Sequence, residues 1–382
     1  MKKVVVSFCT ESKPHLLDLT SKASRYQIPI AGRYRIIDWI ISAAFNIEAE
    51  RIILFEKYFP QELHEFLENY FIIGKLPDIK ILPRSAGTIF RDFYNVVKNE
   101  LADVFIIYNG DNPASAEFRK AIQLYEEQKV AAGVFRVFFG ETSSEVFKVL
   151  IASKNILLHF LENLIKNSEN APVPFESLCN AMINEGMPEM KIQGYYKSLS
   201  SVMDYFQCNM DFIRYPKYFN NLYDSNPLGS YFTNGGTAKI ARGSYVKNSL
   251  CAENVNIEGH VENSILFPDV VINRGAVVKD SIILANNIVG KKATLIRVVM
   301  DEATDSKASP HPNIGSGAEI GRNTINTMNS LFKEALFGGV TFVGKDCFIP
   351  RNLKIGSACY IKPQTDGNVF GKVDRVFDGQ TV

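Results

Sequence analysis

Cysteine is sparse and unpaired in this 382-residue chain. Cys9, Cys179, Cys208, Cys251, Cys347 and Cys359 form no C-x-x-C pair and have no histidine at metal-ligand spacing, which argues against a disulfide framework and a zinc site. Only five histidines are present, and none completes a recognisable Ser–His or Cys–His arrangement. Charge of one sign is also lacking. The 42 Lys and Arg balance 41 Asp and Glu to a formal +1, so no broad electrostatic footprint for nucleic acid is expected. No apolar run approaches the ~18 residues of a membrane span, and the run after Met1-Lys2-Lys3 is too short for a signal peptide. The expectation is a cytoplasmic protein with neither a membrane nor a nucleic-acid partner.

What is present is enough chain for two domains with ordinary globular composition, 46% hydrophobic and 22% charged. The first part alternates buried-strand and helix patterns. Val4-Val5-Val6, Arg51 to Phe55 and Val104 to Tyr108 read as strands, and Gln61 to Tyr70 and Glu117 to Gln128 read as amphipathic helices. Strand and helix in alternation predict a parallel sheet flanked by helices.

After about Lys239 the helical spacing fades and a repeat takes over. Val246-Lys247-Asn248-Ser249-Leu250 returns as Val261-Glu262-Asn263-Ser264-Ile265 and as Val278-Lys279-Asp280-Ser281-Ile282, with aliphatic residues about every six positions between copies. This is a hexapeptide solenoid, its aliphatic residues stacked inside and Gly, Asn or Asp at the corners. Val246, Leu250, Val261, Ile265, Val278 and Ile282 are expected to point inward. The expected domains are residues 1–238 and 239–382.

The segment Pro29-Ile30-Ala31-Gly32-Arg33-Tyr34-Arg35-Ile36-Ile37-Asp38-Trp39 resembles the P-F-G-G-[KR]-Y-R-[IL]-I-D-F signature of the glucose-1-phosphate adenylyltransferases. Tyr58 to His64, Ala86-Gly87-Thr88, Gly110-Asp111, Gly194-Tyr195 and Asn209-Met210-Asp211 support the resemblance, as does the solenoid that follows. It implies an α/β fold: a Rossmann-like nucleotidyltransferase domain, then a left-handed parallel β-helix, in tetramers. It also implies chemistry that joins ATP and glucose 1-phosphate into ADP-glucose and pyrophosphate.

That chemistry needs backbone donors and cations around the triphosphate, and carboxylates to hold Mg²⁺ between the reacting groups. Against the resembled G-G-x-G-x-R-L loop, this chain reads Thr10-Glu11-Ser12-Lys13-Pro14-His15-Leu16 and lacks every loop glycine. Asp111 matches the first metal carboxylate of the resembled family, and Ser198 stands at the second. No [FV]-x-E-K-P segment for the sugar phosphate occurs between Val130 and Ser153.

The resemblance is therefore to the regulatory GlgD-type subunit, and no catalytic residue is assigned. Gly87, Thr88, Asp111, Gly194 and Tyr195 are expected as a remnant substrate or nucleotide site. Arg25 falls where the resembled family has an effector-binding Lys, and Arg25, Arg33 and Arg35 are candidates for an effector anion. Gly32 to Arg35 also fits a purely structural turn, and Trp39, Phe55, Tyr58 and Phe59 fit core or interface positions. No metal or other cofactor is expected, with Mg²⁺ needed only if the chain is active and Asp111 its single retained candidate ligand. The expected function is a non-catalytic subunit in glycogen synthesis, pairing with a catalytic paralogue in a heterotetramer and open to a sugar-phosphate or nucleotide effector. An active nucleotidyltransferase with a divergent phosphate loop, and a stand-alone sugar-phosphate or nucleotide sensor, are the alternatives.

Overall fold

The computed structural model describes residues 1–9, 14–20, 23–68, 77–83, 89–139, 147–167, 174–216, 219–220, 236–304, 312–371 and 373–382. Strands form where β-branched and aromatic residues run together: β1 (Lys3–Phe8), β4 (Arg51–Glu56), β6 (Val104–Asn109), β8 (Ala132–Phe138) and β9 (Phe147–Ser153). The two short strands β2 (Pro29–Ile30) and β3 (Tyr34–Arg35) make a separate antiparallel ribbon. With β5 (Asp78–Pro83), β7 (Ala114–Ala116) and β10 (Glu189–Tyr196), the remaining strands build one sheet in the order β5-β4-β1-β6-β9-β8-β10-β7.

The pairs β5/β4, β4/β1, β1/β6 and β8/β10 are parallel, whereas β9 runs antiparallel between β6 and β8, and β7 antiparallel to β10. The sheet is mixed, although alternation alone predicts a parallel one. From β1 the chain builds outward first through β4 and β5, then through β6 on the other side. That reversal leaves a crevice beyond the carboxyl ends of β1 and β6, where open α/β sheets take ligands.

Helix α1 (Ile36–Asn46) is buried almost all round: Ile36, Ile37, Trp39, Ile40, Ile41, Ala43 and Ala44 cover most of its surface, and its one polar stripe, Asp38, Ser42 and Asn46, is itself buried. Its start is held by the Asp38 Oδ2, which accepts the Arg35 backbone N–H at 2.6 Å. The motif that carries the family resemblance is thus the ribbon and the first turn of this helix, a structural joint.

The second part is a parallel β-helix. Three sheets climb it, and Val246, Val261, Val278, Leu295, Ile320, Ile355 and Val376 pair in one ladder. Asn248, Asn263 and Asp280 stack at one corner with φ of 44°, 47° and 47°. There the Asn248 amide donates to Asn263 at 2.8 Å, and the Asn263 amide to Asp280 at 3.3 Å. Ser249 and Ser264 each accept the backbone N–H of the serine one coil on, at 3.1 Å. These side chains satisfy corner backbone that no strand partner reaches.

The inward-pointing expectation holds for only part of its set. Val261 and Val278 lie inside the solenoid and Val246 packs partly against that core. Ile265, Ile282 and, in part, Leu250 instead join the core of the α/β sheet, while their neighbours Leu266, Ile283 and Cys251 face the solenoid interior. The bend at Asn263 breaks the alternation between Val261 and Ile265, so the last residue of each copy faces the other side. Phe267, Leu284, Val299, Phe342 and Tyr360 extend this outward face, and the α/β part and the solenoid share one apolar core.

Candidate functional site

The carboxyl ends of β1, β4 and β6 receive a short 3₁₀ turn, Arg25–Gln27, capped by Ser24, whose hydroxyl accepts the Tyr26 N–H at 3.2 Å. The Tyr26 phenol is buried and lies 3.2 Å from the Ser7 hydroxyl of β1, and it donates to the Ser7 carbonyl. Burial drives its pKa well above the usual tyrosine value. Ser24 also donates to Glu56 at the end of β4, and Glu56 accepts the Tyr58 N–H at 2.9 Å.

Arg25 lies in this buried layer, only 6% exposed. Its Nε donates to the Asp111 carbonyl at 3.1 Å, and its Nη2 to the Leu199 carbonyl at 3.0 Å and the Asn112 Oδ1 at 3.2 Å. Asn112 Oδ1 also accepts the Leu199 N–H at 2.7 Å, and its amide donates to Asp111 Oδ1 at 3.0 Å. The loops after β6 and β10 are thereby joined beside Arg25. Of the effector candidates, Arg25 is therefore spent on internal acceptors, whereas Arg33 is exposed and Arg35 half-buried.

The expected remnant site is only partly gathered. Gly87 and Thr88 lie outside the described residues, as do Thr10 to Lys13 of the divergent loop. Gly194 is required by packing, because a Cβ there would collide with Val137 Cγ1 and the Ser115 carbonyl where β10 meets β7. Tyr195 is a core residue, 1% exposed, with its hydroxyl at 3.2 Å from Asp211 Oδ2 and its ring 5.9 Å from that of Trp39.

Asp111 is 1% exposed and its carboxylate engages the Asn112 amide. Ser198, at the resembled second carboxylate position, places its hydroxyl 3.0 Å from that of Ser200. A hydroxyl is a weak Mg²⁺ donor beside a carboxylate. The described donor set does not fit a Mg²⁺ ion held between reacting phosphates, and among the described residues no group of three or more His, Cys, Asp or Glu is placed to hold a metal.

A second opening lies at the junction of the α/β part and the solenoid. A cavity of about 530 Å³ is lined by Asp18, Arg35, Asp301, Glu302, Lys345 and Asp346 among others. A neighbouring one of about 440 Å³ shares Arg35, Phe66 and Glu302 and adds Arg33. The Arg35 guanidinium donates to the Gln27 carbonyl and lies 5.4 Å from the Phe66 ring centroid, a cation–π contact. Lys345 pairs with Glu302 at 2.9 Å, and the Tyr360 hydroxyl donates to Asp18 at 2.6 Å. Arg33 and Arg35 therefore meet at the junction, but among more carboxylates than cations.

Sequence reading missed Asp301. It is 7% exposed, and burial pushes its carboxyl up to about 7, against the pull of the Glu302 backbone N–H and of Lys345. No local pattern marks it, since its burial arises only when two distant parts of the chain meet. The folded state holds this proton longer than the unfolded one, so Asp301 favours folding at low pH and that contribution is lost as pH rises from about 4 to 7. In a urea titration across this range the wild type should lose stability relative to Asp301→Asn, by a few kcal/mol at ~1.4 kcal/mol per pKa unit. Parallel pH profiles of the two proteins would refute the burial effect.

A mixed, Rossmann-like α/β sheet followed by a hexapeptide-type parallel β-helix defines the architecture. Residues 236–343 match the family model described as GlmU-like, C-terminal hexapeptide. Over most of its length the chain is similar to proteins named glucose-1-phosphate adenylyltransferase. It is 24% identical to that of Acetivibrio thermocellus, over 92% of this chain and 91% of the relative. It is 25% identical to that of Bacillus cereus and 26% to that of Bacillus mycoides, each over 74% of this chain and 87% of the relative. Among the described residues no helix is long and apolar enough to cross a membrane.

Proposed function

We propose that this chain is a non-catalytic, regulatory subunit of glucose-1-phosphate adenylyltransferase in glycogen synthesis, working in the cytoplasm with a catalytic paralogue. The observation that carries the reading is the state of the paired loops after β6 and β10. Asp111 is buried against Asn112, and Ser198 occupies the position where the resemblance calls for the second metal carboxylate. In-line transfer at an α-phosphorus needs oriented cations on the phosphates, and a site without them forfeits several kcal/mol of transition-state stabilisation.

What survives supports the partner assignment. The α/β part keeps its sheet and its shared core with the solenoid although its catalytic donors have eroded, which fits selection for assembly. The domain division at 238/239 belongs to the same reading and is supported by Lys239–Ile240, the first solenoid strand among the described residues. Arg33 and Arg35 at the junction cavities are the residues through which a sugar-phosphate or nucleotide effector would act. Regulation of this kind requires a differential interaction with two states of the partner, a coupling of about 1–3 kcal/mol or 5–150-fold in affinity.

The test is a titration of the catalytic paralogue with this chain, followed by mass and by substrate and effector saturation. A mixed oligomer with shifted saturation curves is expected. Absence of a mixed oligomer together with unmoved curves would reject the reading.

A further inference from the structure

We infer that the larger cavity at the junction is a binding site for a small linear polyamine, a cation whose ammonium groups are spaced along a methylene chain. This goes beyond the regulatory reading and does not depend on it: Arg33, the exposed effector candidate, lines only the smaller cavity. Asp18, Asp301, Glu302 and Asp346 line the larger one against Arg35 and Lys345. Both cations are already engaged, Lys345 with Glu302 at 2.9 Å and Arg35 with the Gln27 carbonyl and the Phe66 ring. An excess of carboxylates alone names no ligand. The second observation is Asp301 itself, only 7% exposed where it lines the cavity. Its Oδ1 accepts the Glu302 N–H at 2.8 Å, and its Oδ2 has no hydrogen-bond partner among the described residues. A buried carboxyl oxygen without a donor is costly, and an ammonium in the cavity supplies the donor.

A compact metal ion is the wrong cation, because among the described residues no three such groups are placed to hold one. The carboxylates stand on separate supports. Asp18, on the turn Pro14–Thr20, accepts from the Tyr360 hydroxyl at 2.6 Å, and Asp346, at a solenoid corner, accepts from the Thr304 hydroxyl at 2.7 Å. An extended cation can reach them in turn, with its methylenes on the apolar wall that Leu19, Phe66 and Pro363 provide. A volume of about 530 Å³ admits such a chain. Binding is coupled to protons through Asp301, whose carboxyl burial pushes up to about 7. Asp301 shares the cavity with Asp18, Arg35, Glu302, Lys345 and Asp346, and Tyr205, Cys347 and Tyr360 face its charge from the elements packed around it. Burial raises the pKa of those two phenols and of the thiol, which stay neutral where Asp301 titrates. An ammonium beside Asp301 favours its charged form, so binding expels the proton and tightens as pH rises through 7.

The experiment is a calorimetric titration of the full chain with spermidine as the probe, at low salt, between pH 6 and 8, in buffers of different ionisation heat. The wild type is expected to bind about tenfold more tightly at pH 8 than at pH 6 and to release protons at pH 7. Asp301→Asn should bind about tenfold more weakly than the wild type at pH 8 and lose both the pH dependence and the proton release. Asp346→Asn should weaken binding but keep the pH dependence, so the test survives if Asp301→Asn does not fold. The inference is overturned if millimolar spermidine does not bind, or if it binds Asp301→Asn as it binds the wild type, which would mean scattered surface association. Displacement by Mg²⁺ at an equal concentration of charge would equally overturn it, since a diffuse counterion effect does not depend on the shape of the cation. None of these results moves the regulatory reading, which fails only on an unmoved paralogue.

Discussion

Replacing Ile265 with Asp is expected to lower stability by about 3–5 kcal/mol, among the largest effects a single substitution produces. Ile265 is fully buried, and it sits on the outer face of the solenoid against the core of the α/β sheet. A carboxylate there meets Leu250 and Ile282 on the neighbouring coils and the turn at Gly32, where a Cβ would lie 3.5 Å from Ile265 Cγ2. None of these offers a hydrogen bond to a buried charge. Because the side chain belongs to both parts of the molecule, the variant should loosen the sheet as well as the solenoid. Val261→Asp, by contrast, strikes the solenoid interior alone. Thermal melting followed by limited proteolysis separates the two: early cleavage in residues 1–238 is expected for the Ile265 variant. Melting of Ile265→Asp at the wild-type temperature would mean that the shared core is misassigned.

The second large effect is an absence of turnover. The isolated chain is expected to make no ADP-glucose above background from ATP, Mg²⁺ and glucose 1-phosphate. The ground is the Asp111, Asn112 and Ser198 arrangement, in which Asp111 is buried against Asn112 and a hydroxyl stands where the resemblance calls for the second metal carboxylate. With ~1.4 kcal/mol for each tenfold in rate, losing several kcal/mol of charge stabilisation at the transferred phosphoryl group places turnover thousands of times below that of an intact enzyme. Converting Ser198 to Asp alone should not restore it, since Asp111 stays buried against the Asn112 amide and the phosphate loop still lacks its glycines. Robust Mg²⁺-dependent turnover by the purified wild type would defeat this expectation.

Much of the fold was legible in the residues themselves. Val4-Val5-Val6 and Val104 to Tyr108 announce strands because buried strands need continuous apolar runs, and the three V-x-[ND]-S-[LI] copies announce the solenoid because coils must stack like on like. The antiparallel insertion of β9 was not legible, because strand direction leaves no mark on local composition. The outward turn of Ile265 and Ile282 was hidden for a related reason. An aliphatic residue suits either face of a coil, and only the docked sheet decides which face is covered.

For the candidate site, the resemblance points to Ser198 by position, whereas the fate of Arg25 could not be read that way. An arginine in a motif looks the same whether it faces an anion or three internal acceptors from distant loops. Asp301 carries no motif at all, and its raised pKa comes from burial between two parts of the chain.

The central claim, that this chain contributes regulation and no catalysis, is tested most directly in a mixed assembly whose paralogue has been silenced. The catalytic paralogue would be prepared with its metal carboxylate changed from Asp to Asn, combined with wild-type copies of this chain, and assayed for ADP-glucose formation. The account predicts that the mixed oligomer forms and is inert, while the same mixture with wild-type paralogue turns over with shifted saturation. Turnover by the assembly with the silenced paralogue would place a working active site in this chain and contradict the account.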